Sequence, residues 1–178
     1  SPVKELSASQ ICLSDSLNII IDRKLIKRIF LFVLILIVTN TNVLHASAIN
    51  QITYAYWDKP DVEIFYITPK KIDKDTQLLF VIHGNSRNAK DYISAWIPYV
   101  SNKNIIVVAP QFDKSNFRYF FLLESATSSG SINNNSDDYI NKSISSFFDF
   151  FQSKFSLSTN KYKMFGHSAG AQFTHRYM

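Results

Sequence analysis

The sequence contains few of the residues from which disulfide frameworks and metal centres are built. Its 178 residues include a single cysteine, Cys12, which excludes an intramolecular disulfide and a cysteine-based zinc site. Glycine is also rare: there are four, and three of them fall inside two short motifs. Such sparing use indicates positions where the backbone geometry requires glycine. No methionine precedes Met164, so we expect either a fragment or a translation that begins upstream of the true start.

Charge of one sign is not concentrated in any part of the chain. Lysine and arginine number 19 against 14 acidic residues, a net charge of +5 that is spread along the sequence. No basic stripe with interleaved aromatic residues is present, so the sequence predicts no nucleic-acid partner. Hydrophobic residues make up 46% and charged residues 19%, which is typical of a folded chain with a core. The length suits one ordinary domain.

Residues 23–48 have the three parts of a secretory signal. Four basic residues precede an unbroken apolar run at 29–38, and Ala46-Ser47-Ala48 has the small-x-small pattern of a cleavage site. The apolar run is about half the roughly 20 residues that a membrane-spanning helix needs. We therefore expect cleavage after Ala48 and a secreted or periplasmic protein, with residues 1–22 as an unassigned extension. A buried core element and an uncleaved membrane anchor remain as alternatives.

The rest of the chain, residues 49–178, alternates between short apolar runs and amphipathic stretches. Two strands, 51–57 and 62–67, flank a turn and predict a hairpin. Three strand-then-helix units follow, with strands at 77–83, 104–109 and 161–166 and helices at 88–100, 139–155 and 169–178. This order predicts the α/β class, in which helices cover both faces of a mostly parallel sheet.

One pentapeptide, Gly166-His167-Ser168-Ala169-Gly170, matches the pattern G-x-S-x-G. It stands where the last predicted strand meets the last predicted helix, a sharp turn that projects the serine hydroxyl above the sheet. Gly166 and Gly170 have to be small, because larger side chains would collide with the adjoining strand and helix. The helix N-terminus favours negative charge that develops at the serine. The pattern predicts Ser168 as a nucleophile; the alternative is a glycine-bordered turn with an incidental serine.

A second motif, His83-Gly84-Asn85, directly follows the buried strand at 78–82. Ester hydrolysis passes through a tetrahedral oxyanion, which backbone N–H groups stabilise when they are aimed at that oxygen. We expect one N–H from Ala169, the residue after the nucleophile, and the other from Asn85. Gly84 would permit the close turn, and His83 would organise the loop instead of transferring protons.

These two motifs, extended to residues 81–89 and 166–173, resemble the α/β-hydrolase superfamily. Within it the sequence is most similar to secreted poly(3-hydroxybutyrate) depolymerase-like and feruloyl-esterase-like proteins, and the resemblance spans residues 78–176. It implies Ser168 as the nucleophile and Asn85 and Ala169 as oxyanion donors. It also implies hydrolysis of a small or polymeric carboxylic ester without a metal or cofactor. Asn85 stands where depolymerase-like members often have a cysteine.

The acid and the histidine of a catalytic triad follow the nucleophile in this superfamily. Ten residues follow Ser168, all within the last predicted helix, so we expect both groups to lie beyond the sequence and this chain alone to be inactive. His175 lies two helical turns from Ser168, about 10 Å along the axis, which is too far for a base. A catalytically dead hydrolase-fold remnant and a binding module are the alternatives to an enzyme.

Two further expectations concern the surroundings of the motifs. An aromatic stretch after the strand at 104–109 either lines a substrate pocket or packs in the core. It consists of Phe112, Phe117, Tyr119, Phe120 and Phe121. The strand at 161–166 is expected to have a further strand beside it, so we predict poor solubility for residues 49–178 alone.

Overall fold

The computed structural model describes residues 48–178 except residue 101. The predicted extension at 1–22, which contains Cys12, lies outside the described residues, and so does all of the predicted signal segment before Ala48. No helix in the described part of the chain has the length and apolar character needed to span a membrane. Export and cleavage after Ala48 stay predictions.

A five-stranded sheet lies at the centre of the described fold. The strands are β1 (Asn50–Tyr54), β2 (Val62–Ile67), β3 (Gln77–Ile82), β4 (Ile105–Gln111) and β5 (Tyr162–Gly166). They lie side by side in the order β1-β2-β4-β3-β5. β1 pairs antiparallel with β2, which confirms the predicted hairpin, and β2 pairs antiparallel with β4. The pairs β3–β4 and β3–β5 are parallel, so the sheet is mixed.

The helices lie between and after the parallel strands. They are α1 (Ala89–Ser94), α2 (Ile97–Val100), α3 (Ser143–Phe155) and α4 (Ala169–Tyr177). Two 3-10 turns, Phe120–Leu122 and Ser136–Asp138, lie between β4 and α3. The sequence predicted one helix over 88–100, which the structure divides into α1 and α2. Pro98 explains the break, because its ring would collide with the carbonyl of Ser94, four residues earlier.

β4 is longer than the sequence predicted. The prediction ended it before Pro110, but it continues to Gln111. β3 pairs with β4 only as far as Val108, so Pro110 has a neighbouring strand on one side alone, where it lies opposite Ile64 of β2. Proline is tolerated at such an edge position because no second ladder requires its missing N–H.

Both faces of the sheet are covered, as predicted for the α/β class. Leu78, Phe80 and Ile82 of β3 belong to one buried cluster, together with side chains of α3 and α4. Leu79 and Val81 belong to a second cluster, together with side chains of α1 and α2. A strand that is buried on both faces contains a continuous apolar run instead of an alternating one, which is the pattern found at 78–82.

The aromatic stretch after β4 packs mainly in the core. Phe112, Phe117 and Phe120 are almost fully buried. The ring of Phe112 lies 5.3 Å from that of Phe173 on α4. Tyr119 and Phe121 are partly buried. Core packing, one of the two alternatives for this stretch, is confirmed for the three buried rings, which support α4 and the end of β4.

The outer edge of β5 borders an apolar groove. Within residues 48–178, β5 pairs only with β3. The groove has a volume of about 770 Å³, and its lining includes Tyr92, Trp96, Tyr99 and Phe165. Phe165 is 43% exposed. A strand edge that is unpaired among the described residues and lies beside exposed apolar side chains is a surface that promotes association between chains. Poor solubility stays a prediction.

Candidate active site

Ser168 occupies the turn between β5 and α4. Its backbone angles are φ 56° and ψ −122°, a combination that a residue with a side chain adopts only at a cost of about 1–3 kcal/mol. The residue is exposed, and its hydroxyl forms no hydrogen bond within the described part of the chain. The strand, the strained serine and the helix follow one another as the pentapeptide predicts. The turn therefore presents a free hydroxyl above the end of the sheet.

Two glycines allow this turn to be so tight. A Cβ atom on Gly166 would collide with the carbonyl of Gly170 and lie 2.7 Å from the backbone nitrogen of Ala171. A Cβ atom on Gly170 would collide with the carbonyl of Ile82 and lie 2.6 Å from the carbonyl oxygen of His83. These obstacles are backbone atoms, which cannot swing away. Both glycines are thus required for α4 to begin directly against β5 and the end of β3.

The loop after β3 lies against the serine turn. A Cβ atom on Gly84 would be 3.6 Å from Cβ of Ser168 and 3.7 Å from the carbonyl oxygen of His167. The loop turns back at once, because the N–H of Arg87 donates to the carbonyl of Gly84 at 3.1 Å. The structure therefore brings together the two motifs that lie 81 residues apart in the sequence, counted from Asn85 to Gly166.

The two predicted oxyanion donors have N–H groups that are free within this part of the chain. Neither the N–H of Asn85 nor that of Ala169 donates a hydrogen bond to another residue among those described. Asn85 is exposed, whereas Ala169 is buried at the start of α4. Free N–H groups in two touching loops are the kind of donor that a developing oxyanion requires.

His83 is a buried, neutral histidine that fixes the loop. The N–H of Phe112 donates to its Nε2 at 2.9 Å, so Nε2 carries no proton. Nδ1 therefore carries the proton and donates it to the carbonyl oxygen of Gly84 at 2.8 Å. Burial lowers the pKa of His83 to about 4, and the nearby positive charge of Arg87 adds to this effect. Because both nitrogens are engaged, His83 is suited to holding the loop and not to proton transfer.

Arg87 also holds this loop in place, a role that no pattern in the sequence predicts. Its guanidinium donates to the carbonyls of Phe112 at 2.6 Å, Phe117 at 2.7 Å and Arg118 at 2.9 Å. It also lies 4.3 Å from the ring centroid of Phe120. Burial lowers the pKa of Arg87. A lone arginine two residues after Asn85 gives no sequence signal of these contacts, since every acceptor is a backbone carbonyl.

Among the described residues, no other histidine or acid forms a hydrogen bond with Ser168. Nδ1 of His167 hydrogen-bonds with the hydroxyl of Tyr92 at 2.9 Å, and His175 is exposed in the last turn of α4. Asp113 accepts hydrogen bonds from the N–H groups of Ser115 and Asn116, which close its own turn. No group of three potential metal ligands occurs among the described residues. This part of the chain therefore contributes a serine and two N–H groups without a partner base.

Comparisons with known proteins give solved structures of hydrolases. No family model and no curated protein matches the sequence. Poly(aspartic acid) hydrolase-1 from Sphingomonas sp. KT-1 is 30% identical over 74% of this chain and 50% of its own, with a TM-score of 0.66. The poly(3-hydroxybutyrate) depolymerase LpqC from Bordetella parapertussis is 24% identical over 74% and 46%, with a TM-score of 0.62. The chain thus spans about half the length of these two neighbours.

Proposed function

Because the chain has the α/β-hydrolase fold of these neighbours, we propose that Ser168 is the nucleophile of a carboxylic ester hydrolase. The observation that carries the proposal is the backbone of Ser168, at φ 56° and ψ −122° in a turn bordered by glycines that cannot be replaced. Strain of this size persists where the surrounding structure enforces it, and it clusters at active sites. An incidental serine would gain nothing from such a position.

The proposed reaction starts with attack of the Ser168 hydroxyl oxygen on the ester carbonyl carbon, while its proton passes to a general base. The carbonyl oxygen becomes an oxyanion and accepts hydrogen bonds from the N–H groups of Asn85 and Ala169. Collapse of this intermediate breaks the bond to the alcohol, which leaves with a proton from the base, and forms an acyl-serine. Water then attacks the acyl carbon, releasing the acid and the free serine.

The general base comes from outside the described residues in this proposal. His83 has both ring nitrogens engaged, and Nδ1 of His167 is hydrogen-bonded to Tyr92. A serine without a base is a weak nucleophile at neutral pH. His45 lies in the segment that cleavage after Ala48 would remove, so we expect the cleaved chain alone to have at most residual esterase activity. The same lack of a base favours the second candidate, a hydrolase fold that binds a ligand without hydrolysing it.

The proposed substrate is a small or polymeric ester, in line with the polyester in the name of the depolymerase LpqC. We also propose that the protein is exported and cleaved after Ala48. The first strand begins at Asn50, so cleavage there would leave the whole sheet intact. N-terminal sequencing of the exported protein tests this, and a start upstream of residue 29 would favour the membrane anchor instead.

Acylation of the chain tests the nucleophile directly. The protein is treated with a nitrophenyl ester, with and without imidazole as an external base, and peptide mass spectrometry locates the acyl group. We expect acylation at Ser168 that imidazole accelerates and that Ser168→Ala abolishes. Ser128→Ala, at an exposed loop serine, is the control that should retain it. Acylation that survives Ser168→Ala, or none in any condition, would favour the binding module.

Robust hydrolysis of the nitrophenyl ester without imidazole would bear on the source of the general base. If Ser168→Ala abolishes that turnover, the serine assignment stands, but a base must already be present in the chain. The proposal that the base comes from elsewhere would then be wrong.

A further inference from the structure

The hydroxyl of Tyr92 lies where the two loops of the site meet. It is 2.9 Å from Nδ1 of His167, in the serine turn. A Cβ atom on Gly84, in the loop after β3, would be only 3.0 Å from the same hydroxyl. His167 precedes Ala169 by two residues, and Gly84 precedes Asn85 by one. A single phenol therefore bonds to one of the two segments that carry the proposed oxyanion donors and lies close beside the other.

Tyr92 is attached to a helix that belongs to neither loop. It is the fourth residue of α1, whose Ala89 and Ile93 are fully buried in the cluster on that face of the sheet. The N–H of Ala89, at the start of α1, donates to the side-chain oxygen of Gln111 at the end of β4, at 3.1 Å. These contacts fix the helix, and with it the position from which the phenol reaches the loops.

We propose that Tyr92 is a positioning residue that sets the distance between the N–H groups of Asn85 and Ala169. The proposal rests on the function proposed above. An oxyanion is stabilised only by donors about 2.7–3.1 Å from the place where its charge develops, so the spacing of the two loops matters to tenths of an ångström. The Tyr92 hydroxyl bonds to the serine turn and lies beside the loop after β3, where a Cβ atom on Gly84 would come within 3.0 Å of it. It touches no reacting atom in this scheme.

The substitution Tyr92→Phe tests the proposal because it removes one oxygen and leaves the ring. Tyr99→Phe is a matched control: Tyr99 lines the same groove, is 66% exposed, and its hydroxyl forms no hydrogen bond within the described residues. Both variants are made in the full chain as a soluble fusion. The measurements are the backbone amide signals of Asn85 and Ala169 by NMR, the melting temperature, and the rate of Ser168 acylation with imidazole.

We expect Tyr92→Phe to move the amide signals of Asn85 and Ala169 while Tyr99→Phe leaves them in place. Both variants should melt within about 2 °C of the parent, since a solvent-accessible hydrogen bond adds little to stability. The maximal acylation rate should fall roughly tenfold in Tyr92→Phe, less than the 100-fold or more that follows loss of a whole donor. The ester concentration at half-maximal rate should stay unchanged.

The outcomes separate this inference from the proposed function. Amide signals that stay in place in Tyr92→Phe would overturn the positioning role, whatever the acylation rate. Amide signals that move while Ser168 is never acylated would support the coupling of the loops and count against the esterase. A fall in acylation with a large loss of melting temperature would contradict the proposal, because Tyr92 would then act through stability.

Discussion

The two loops of the site are held in place in opposite ways. The serine turn depends on its own glycines: Gly166 and Gly170 let its backbone approach α4 and the end of β3, and Ser168 bears the strain. The loop after β3 is fixed from a distance, because His83 and Arg87 hydrogen-bond to the backbone of residues 112–118. The first arrangement depends on the absence of side chains and the second on two particular side chains. The two loops should therefore respond differently to substitution.

The largest loss of stability is expected at Gly170, where no side chain fits. Gly170→Ala places a methyl group against the carbonyls of Ile82 and His83, and backbone shifts of that kind cost about 4 kcal/mol. Gly130→Ala is the control, since its φ of +89° is strained but nothing lies within 4 Å of the added atom; it should cost about 1 kcal/mol. Urea denaturation measures both. Equal losses of stability in the two variants would mean that the serine turn accommodates a methyl group for which the structure leaves no room.

The next largest effect is a pH dependence of stability that arises from His83, the buried histidine of the loop after β3. His83 has a pKa of about 4 when folded and about 6.5 when unfolded. Between these values the unfolded chain binds a proton that the folded chain does not, so the free energy of unfolding falls as the pH falls from 6.5 to 4. The full shift corresponds to about 3 kcal/mol.

Urea denaturation at pH 7 and pH 4.5 measures this dependence. His83→Asn should remove most of it, although the variant is less stable at pH 7. His175→Asn, at an exposed histidine of α4, should keep the full dependence. An unchanged pH dependence in His83→Asn would assign it to other groups and contradict the neutral, buried state of His83.

Substitution of Arg87 should destabilise the protein somewhat less. Arg87→Lys keeps the charge but offers one nitrogen in place of the planar fork, so acceptors among the carbonyls of Phe112, Phe117 and Arg118 lose their donor. We expect a loss of about 2 kcal/mol. Arg118→Lys, at an exposed arginine, is the matched control and should change stability by about 0.5 kcal/mol or less. Similar values for the two variants would show that the second loop does not depend on Arg87.

The same contrast explains which parts of the site the sequence predicts. The serine turn is specified by five consecutive residues whose spacing reflects a local steric requirement, so the strand, turn and helix at 162–177 were predicted. The roles of Arg87 and Tyr92 depend on backbone carbonyls and a histidine that lie far away in the sequence, and no local pattern indicates such partners. The division of the helix at 88–100 was missed although Pro98 gives a local signal, because the apolar spacing continues across it.

The smallest expected effect is a gain in stability from a substitution of Ser168. If the serine turn is enforced by its surroundings at the expense of Ser168, then Ser168→Gly should relieve strain, because glycine adopts positive φ angles freely. The added freedom of the unfolded chain offsets part of this relief, which leaves a net stabilisation of about 1 kcal/mol. Ser168→Ala keeps the Cβ atom and the strain, so it should be neutral. A Ser168→Gly variant no more stable than Ser168→Ala, by urea denaturation, would mean that the φ of 56° costs this protein little. The geometric basis for choosing Ser168 as the nucleophile would then be weakened, even though its hydroxyl remains exposed.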